Sequence, residues 1–440
     1  MRRREGDARG GQSGEHVPPT PHLHTARRRR KMTCLKGFSG ERPPAVVLGD
    51  LALVRPLGMA GVPVILGVVT PDDECLRSRH VAASFVVPGW TGEHSAAAAA
   101  ALTQLGASLR DTLGCKVPLI YQSDVHLDLL YRHREALSEY YLFLLNDEDL
   151  AWALYDKERF YQVAAARGIP IPATLQSGPE IEAGILALRE PIVVKPKRKT
   201  SYEDMKKSLL GGKAKARVFP TREALLSHPS FPRYKDEIIV QEYIDCPVVD
   251  LVSYHALTDE TGKLLGSFCG KKSRTSPMFG GDSSCIELTN DASVYAAGRD
   301  VAARLGLKGP FKIDFIRDAR TGELLVLEIN ARFNLWHHLG AVHGVNLPLI
   351  AYEYLVYGRT AAPAPPVEPR YRWVNLYRDY QAFQEQRAGG EMTYPQWLLS
   401  LVAPRNVYSV FAWDDPKPFA AWAGSFIRKR RANASLRDHL

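Results

Sequence analysis

The sequence predicts an α/β protein on three observations. First, Ala45-Val46-Val47-Leu48-Gly49 is an apolar strand ending in glycine. Helical spacing at Leu51, Val54, Leu57 and Met59 follows it, and then a second buried run over residues 61–68. Strand, helix and strand within about 25 residues form a βαβ unit, which implies a parallel sheet. Second, residues 85–88 and 117–121 repeat the short apolar run, so this sheet extends to a domain end near residue 150. Third, the pattern changes further on. Residues 251–257 and 264–269 alternate as antiparallel strands do, so the second half reads as α+β.

Composition narrows the function classes. At 440 residues the chain is long enough for two or three packed units. No apolar run approaches the roughly 20 residues that span a bilayer, so no membrane partner is expected, and the scattered cysteines predict a cytoplasmic protein. The formal charge is +9, but residues 1–31 hold eight arginines and one lysine against Glu5, Asp7 and Glu15. Six of the nine excess charges therefore sit in one Gly-, Pro- and Arg-rich tail with no apolar period, which reads as disordered. The tail either precedes a start at Met32, the favoured reading, or binds anionic partners. Too little excess charge is left over for a basic groove, so nucleic acid is not the expected partner. The cysteines are scattered with no C-x-x-C pair, as reduced thiols of an enzyme would be.

Residues 156–167 form a helix closed by Gly168 and Ile169-Pro170-Ile171-Pro172. Pro191-Ile192-Val193-Val194-Lys195-Pro196 is a strand ending on a lysine, and residues 237–244 are another. Between them, residues 197–215 are polar and lysine-rich and include Gly211-Gly212, which reads as a mobile loop. Helices are expected at 292–305 and 347–357, with a hairpin of strands 311–316 and 323–329 between them. Residues 361–369 are a Pro-rich linker, and the aromatic stretch beyond it is expected to pack back on the body.

That hairpin carries the strongest chemical signal. Lys312-Ile313-Asp314-Phe315 and Leu327-Glu328-Ile329-Asn330-Ala331-Arg332 lie on neighbouring strands. Glu328 and Asn330, two apart, point the same way, and Arg332 continues their face. Asp314, Glu328 and Asn330 are three hard oxygen donors, a set that suits Mg²⁺ (or Mn²⁺) sharing its shell with phosphates and water. Arg332 would face a transferring phosphoryl group or a substrate carboxylate. Glu328 alone would be an ordinary exposed residue; the group of four is not.

Taken in order, these pieces resemble the ATP-grasp superfamily, and within it the carboxylate–amine ligase branch. The resemblance spans about residues 45–430 and is best over 156–358. It runs through Asp156-Lys157, Gly168-Ile169-Pro170-Ile171-Pro172, Val193-Val194-Lys195-Pro196, Val240-Gln241-Glu242-Tyr243-Ile244 and Glu328-Ile329-Asn330-Ala331-Arg332. It implies an N-terminal parallel α/β domain (44–150) after the tail (1–43). Two α+β subdomains would then clasp ATP (151–245 and 246–360), followed by an extension (361–440). Lys157 and Lys195 are expected on the phosphates, with Lys195 also near the adenine. Gln241, Glu242, Tyr243 and Ile244 would form the hinge that reads the adenine edge. Either Asp250 or Glu242 would hold the ribose.

The implied reaction joins a carboxylate to an amine through an acyl phosphate, releasing ADP and phosphate. The rivals are bicarbonate or thiol as co-substrate and a nucleotide-binding regulator without turnover; a homodimer is the assembly considered. Lys271-Lys272-Ser273-Arg274, leading to Phe279-Gly280-Gly281-Asp282, reads as an anion site in which Lys272 and Arg274 hold the acyl phosphate or the substrate carboxylate. The 197–215 loop would be the lid that excludes water. Asp124 and His126 follow a strand of the first domain and are candidates for substrate contact. His337, His338 and His343 lack carboxylates at ligand spacing, which favours packing over a metal site.

Overall fold

The computed structural model describes residues 23–24, 37–176, 178, 180–197, 202–212, 216–245, 251–360, 371–402 and 405–437. Most of the tail, the Pro-rich linker and Asp250 lie outside these residues.

Three sheets organise the chain. The first contains β1 (Leu23–His24), β2 (Ala45–Leu48), β3 (Val64–Val68), β4 (Val81–Val86), β5 (Val117–Tyr121) and β6 (Tyr141–Leu142), in the order β1-β4-β3-β2-β5-β6. All its pairings are parallel except β1 with β4. Every residue of β2, β3 and β5 is buried, as expected of strands covered on both faces by helices such as Leu51–Met59 and His94–Leu113. The chain leaves β2 toward β3 on one side and returns to β5 on the other. The carboxyl ends of β2 and β5 therefore flank a topological switch point, where open parallel sheets have their crevice.

The second sheet is antiparallel, in the order β7-β10-β8-β9, from β7 (Thr174–Leu175), β8 (Ile192–Pro196), β9 (Arg217–Phe219) and β10 (Ile238–Glu242). Residues 197–215, read as a loop, contain the helix Tyr202–Ser208. Met205 and Leu209, four apart, bury completely in the core of this sheet. That pair outweighs the polar, lysine-rich composition that suggested a loop.

The third sheet holds β11 (Leu251–Thr258), β12 (Leu264–Ser276), β13 (Asp282–Thr289), β14 (Gly309–Arg317), β15 (Leu324–Asn330), β16 (Tyr371–Val374) and β17 (Arg405–Tyr408). Their order is β15-β14-β11-β12-β13-β16-β17. The pairings are antiparallel except β16 with β17. The helix Ala292–Leu305 starts on Asp291, whose carboxylate accepts from the Ser293 amide, and ends at Gly306 in the left-handed region. Gly298 lies against the Tyr254 ring so closely that a Cβ would fall 2.2 Å from it, so only glycine lets this helix lie on β11.

The C-terminal extension belongs to the body. Its strands β16 and β17 extend the third sheet, and its helix Leu376–Ala388 lies on β12 and β13. Arg55, buried in the first helix, is joined to buried Asp415 at 3.2 Å. Among the described residues no helix is long and apolar enough to cross a membrane.

Candidate active site

Pairing of β12, β11, β14 and β15 lines up the candidate residues on one face. Ser253 stands opposite Asp314 and His255 opposite Lys312 across β11 and β14. Asp314 stands opposite Glu328, and Lys312 opposite Asn330, across β14 and β15. Directly opposed residues share a face in an antiparallel pair. The expected trio of Asp314, Glu328 and Asn330 is therefore brought together.

Asp314 is buried, accepts a hydrogen bond from the Ser253 hydroxyl, and has Lys312 Nζ at 2.6 Å. Burial alone would raise its pKa. The charges of Lys312 and Lys272, with the two hydrogen bonds, outweigh burial and hold the carboxyl well below the usual carboxylate range. Glu328 is exposed, while Asn330 is buried and its Oδ1 accepts from Arg332 at 2.9 Å. Among the described residues no three His, Cys, Asp or Glu side chains form a metal cluster. The protein thus offers a cation two carboxylates and an amide oxygen, one carboxylate firmly ionised. That donor set fits Mg²⁺ completing its shell from phosphates and water. Lys312 also lies 5.3 Å from the centre of the Trp336 ring.

The second sheet contributes lysines from the other side. Lys195 Nζ donates to Gln241 Oε1 at 2.5 Å, and the Gln241 amide donates to Tyr161 and Thr174 at 2.9 and 2.7 Å. Asp156 caps the helix Lys157–Ala166, and Lys157 Nζ donates to the Pro196 carbonyl at 3.2 Å. Burial, and then the neighbouring Lys157 charge, push Lys195 down to about 8, while Glu328 pulls it back up. Glu328 on β15 is thus close enough to act on Lys195 on β8, and it acts on Tyr161 as well. The Val326 amide of β15 also donates to the Pro170 carbonyl at 2.8 Å, so the lysines and carboxylates stand on adjoining elements, with the candidate cleft between them.

Along residues 241–244 the Glu242 and Tyr243 amides donate to the Ala173 and Pro191 carbonyls at 3.0 and 2.9 Å. Glu242 also accepts from the Ala173 amide and lies 3.9 Å from Arg320. The Tyr243 ring meets Phe279 at 6.0 Å, which brings the glycine turn after β12 onto this stretch, and Ile244 is buried.

One candidate is corrected. Arg274 does not face the cleft: it is buried in a two-point ion pair with Asp379 at 2.7 and 2.9 Å. The reason is a β-bulge. Lys272 pairs with Ile286 but Arg274 pairs with Cys285, so the extra residue flips Arg274 to the other face. Lys272 keeps the face of Ser253 and acts on Asp314. The basic cluster also lies within β12 and not at its end.

Arg332 reaches toward the first sheet. Its guanidinium contacts Asp124 at 2.5 and 3.2 Å and the Gln122 carbonyl at 3.2 Å. Gln122 in turn accepts from the Asp50 amide at 2.7 Å and donates to the Asp50 carboxylate at 3.0 Å. Asp50, Gln122 and Asp124 follow β2 and β5, the switch-point strands, so the crevice of the first sheet opens on the same site. His126 stands beside them, edge-on to Trp90 at 5.0 Å, and is pushed down to about 4 by burial and then by Arg332.

The residues that sequence reasoning missed are mostly partners. Lys312 was detectable, two residues before Asp314 on the same strand. Ser253, Tyr161 and Thr174 were not, because each depends on a distant pairing. His255 and His337 form an aromatic cluster with Phe268, Phe333 and Trp336, and burial brings His337 down to about 3. That agrees with packing, not metal binding, for His337.

No family model matches the chain. A D-aspartate ligase of Enterococcus faecium (strain Aus0004) is 25% identical over 254 residues, 56% of this chain and 60% of that protein. The chain thus matches less than two-thirds of that relative's length. Among solved structures, N5-carboxyaminoimidazole synthetase from Staphylococcus aureus, complexed with ADP, superposes with a TM-score of 0.54 at 15% identity. That match covers 75% of this chain and 80% of the other. The L-amino acid ligase from Bacillus licheniformis gives 0.51 at 15% identity, over 73% and 74%. The biotin carboxylase domain dimer of Hydrogenobacter thermophilus 2-oxoglutarate carboxylase, with MgADP, ADP and bicarbonate, gives 0.53 at 15%, over 75% and 73%.

Proposed function

Because the chain carries the ATP-grasp fold, we propose that it is an ATP-dependent ligase that joins a carboxylate to an amine through an acyl phosphate. The observation that carries this reading is the carboxylate face of β14 and β15, whose Val326 amide bonds to Pro170 just ahead of the sheet that holds Lys195. Cations and carboxylates facing each other across a cleft suit a triphosphate with its metal.

In this reading Lys157 and Lys195 hold the phosphates, and Gln241 fixes the Lys195 ammonium in place. With the Glu242 and Tyr243 amides occupied, adenine recognition falls to the carbonyl oxygens of the stretch and to Ile244. Glu242 takes the ribose, or Asp250 beyond it. Asp314, Glu328 and Asn330 would hold Mg²⁺, which when bound neutralises charge on the transferring phosphoryl group. Lys272 and Arg332 face the acyl group, and Arg332 exchanges Asp124 for that anion when the carboxylate arrives. The amine enters from the first sheet's crevice, near Asp50 and Asp124, and displaces phosphate from the acyl phosphate. The D-aspartate ligase and L-amino acid ligase likenesses favour an amino acid as one of the two substrates.

The test is ADP and phosphate release from Mg-ATP with paired carboxylates and amino acids. Release is expected to require both substrates, to stop with EDTA, and to fall by roughly a hundredfold or more in Glu328→Ala. ATP binding with no substrate-stimulated ADP release would instead identify a nucleotide-binding regulator.

A further inference from the structure

The C-terminal extension exposes more apolar surface than a body element needs to. In the helix Tyr394–Val402, Leu398, Leu399 and Val402 are 55%, 63% and 78% exposed, and Trp413 further on is 89% exposed. Isolated apolar residues on a surface need no explanation, but a contiguous set does.

A row of aromatic side chains leads from the end of this helix to Trp413 and beyond. Tyr408 donates its hydroxyl to the Leu401 carbonyl and packs against Phe411 at 5.9 Å. Phe411 touches Trp413 at 4.8 Å and Phe419 at 5.4 Å. From there Phe419, Trp422 and Phe426 stack successively at 5.6 Å along the helix Lys417–Arg437, and Ile427 beside them is half exposed. That helix holds no Asp or Glu, and its sequence continues from Ile427 into Arg428-Lys429-Arg430-Arg431. A Trp- and Leu-bearing face next to a purely cationic helix has the chemistry of a segment that lies in the headgroup region of a bilayer.

We propose that this C-terminal face docks the protein on an anionic lipid surface. Leu398, Leu399, Val402 and Trp413 enter the acyl boundary, and the cationic sequence that begins at exposed Arg428 supplies the attraction to the phosphates. Charge complementarity selects this occupant. A two-fold contact between copies would offer the cationic run only another cationic run. The docking is peripheral, and the substrate cleft lies on other elements.

The test is co-sedimentation of the full chain with vesicles of phosphatidylcholine alone and of phosphatidylcholine mixed with phosphatidylglycerol. Binding is expected only to the anionic vesicles, and to weaken with salt. Combined Leu398→Glu, Leu399→Glu and Val402→Glu should lower the partition coefficient by roughly tenfold or more. So should reversal of Arg428, Lys429, Arg430 and Arg431 to Glu, which leaves the basic residues 1–31 in place. The substituted leucines and valine are exposed, so unchanged thermal unfolding would show that both variants fold. Equal binding of either folded variant, or no binding of the unaltered chain, overturns the proposal. So does a dimer in sedimentation velocity that the leucine variant dissociates, since the face would then belong to a second copy.

Discussion

Lys195 sits between two demands. Burial and the adjacent Lys157 bring it down to about 8 from its ordinary 10.5, while a nucleotide phosphate would bring it back up. Folding therefore works against the charged lysine. Its stability penalty is full at neutral pH and lifts as pH rises from about 8 through 10.5, where only the unfolded chain stays protonated. ATP binding should then take up close to one proton at about pH 9 and far fewer at about pH 7. Titration calorimetry in buffers of different ionisation enthalpy measures this directly, and equal uptake at both values would remove Lys195 from the phosphate site. Asp314 behaves in the opposite way. Lys312 and Lys272 keep it ionised even though it is buried, so it can serve as a cation ligand throughout the neutral range.

The bulge in β12 decides which of two cations keeps the face of Asp314. Lys272 stays on the cleft face, and Arg274 becomes an internal partner of Asp379, which also accepts from Ser284 and Trp397. Removing one side of a buried pair leaves a charge with no solvent and no counterion. Asp379→Ala should therefore lower unfolding free energy by about 3–5 kcal/mol in chemical denaturation. The fraction that stays folded should keep its nucleotide affinity, since no cleft residue is touched. The same bulge shows where sequence reading stops. Alternation was enough to put Glu328 and Asn330 on one face beside Asp314, and short apolar runs marked the lysine strand and the strand over residues 237–244. Arg274 was grouped with Lys272 as one basic cluster, and the extra residue that separates their faces leaves no trace in the hydrophobic pattern. Ser253 and Tyr161 stayed hidden for a different reason, since their roles follow from pairings and packing between segments far apart in the chain. The helix Tyr202–Ser208 was hidden by its lysines, although Met205 and Leu209 carried the correct period.

Across the whole molecule, the last seventy residues clamp the first sheet to the third. Asp415 accepts from Arg55, Ser78 and the Arg79 amide, all in the first domain, while β16 and β17 lengthen the third sheet. Asp415→Ala should release this clamp. The expected result is a lower melting temperature and faster cleavage between residues 409 and 437 in limited proteolysis; an unchanged cleavage pattern would mean that the aromatic row holds the segment without it. The pairing of β13 with β16 also bears on how the protein is made. While the ribosome is still adding the Pro-rich stretch, residues 251–330 are already out and able to pair among themselves, but Cys285 to Glu287 present a bare strand edge until residues 371–374 arrive. Bare edges recruit strands from other chains. A nascent polypeptide halted before residue 371 keeps that edge permanently, so incomplete translation products are the form of this protein most prone to aggregate.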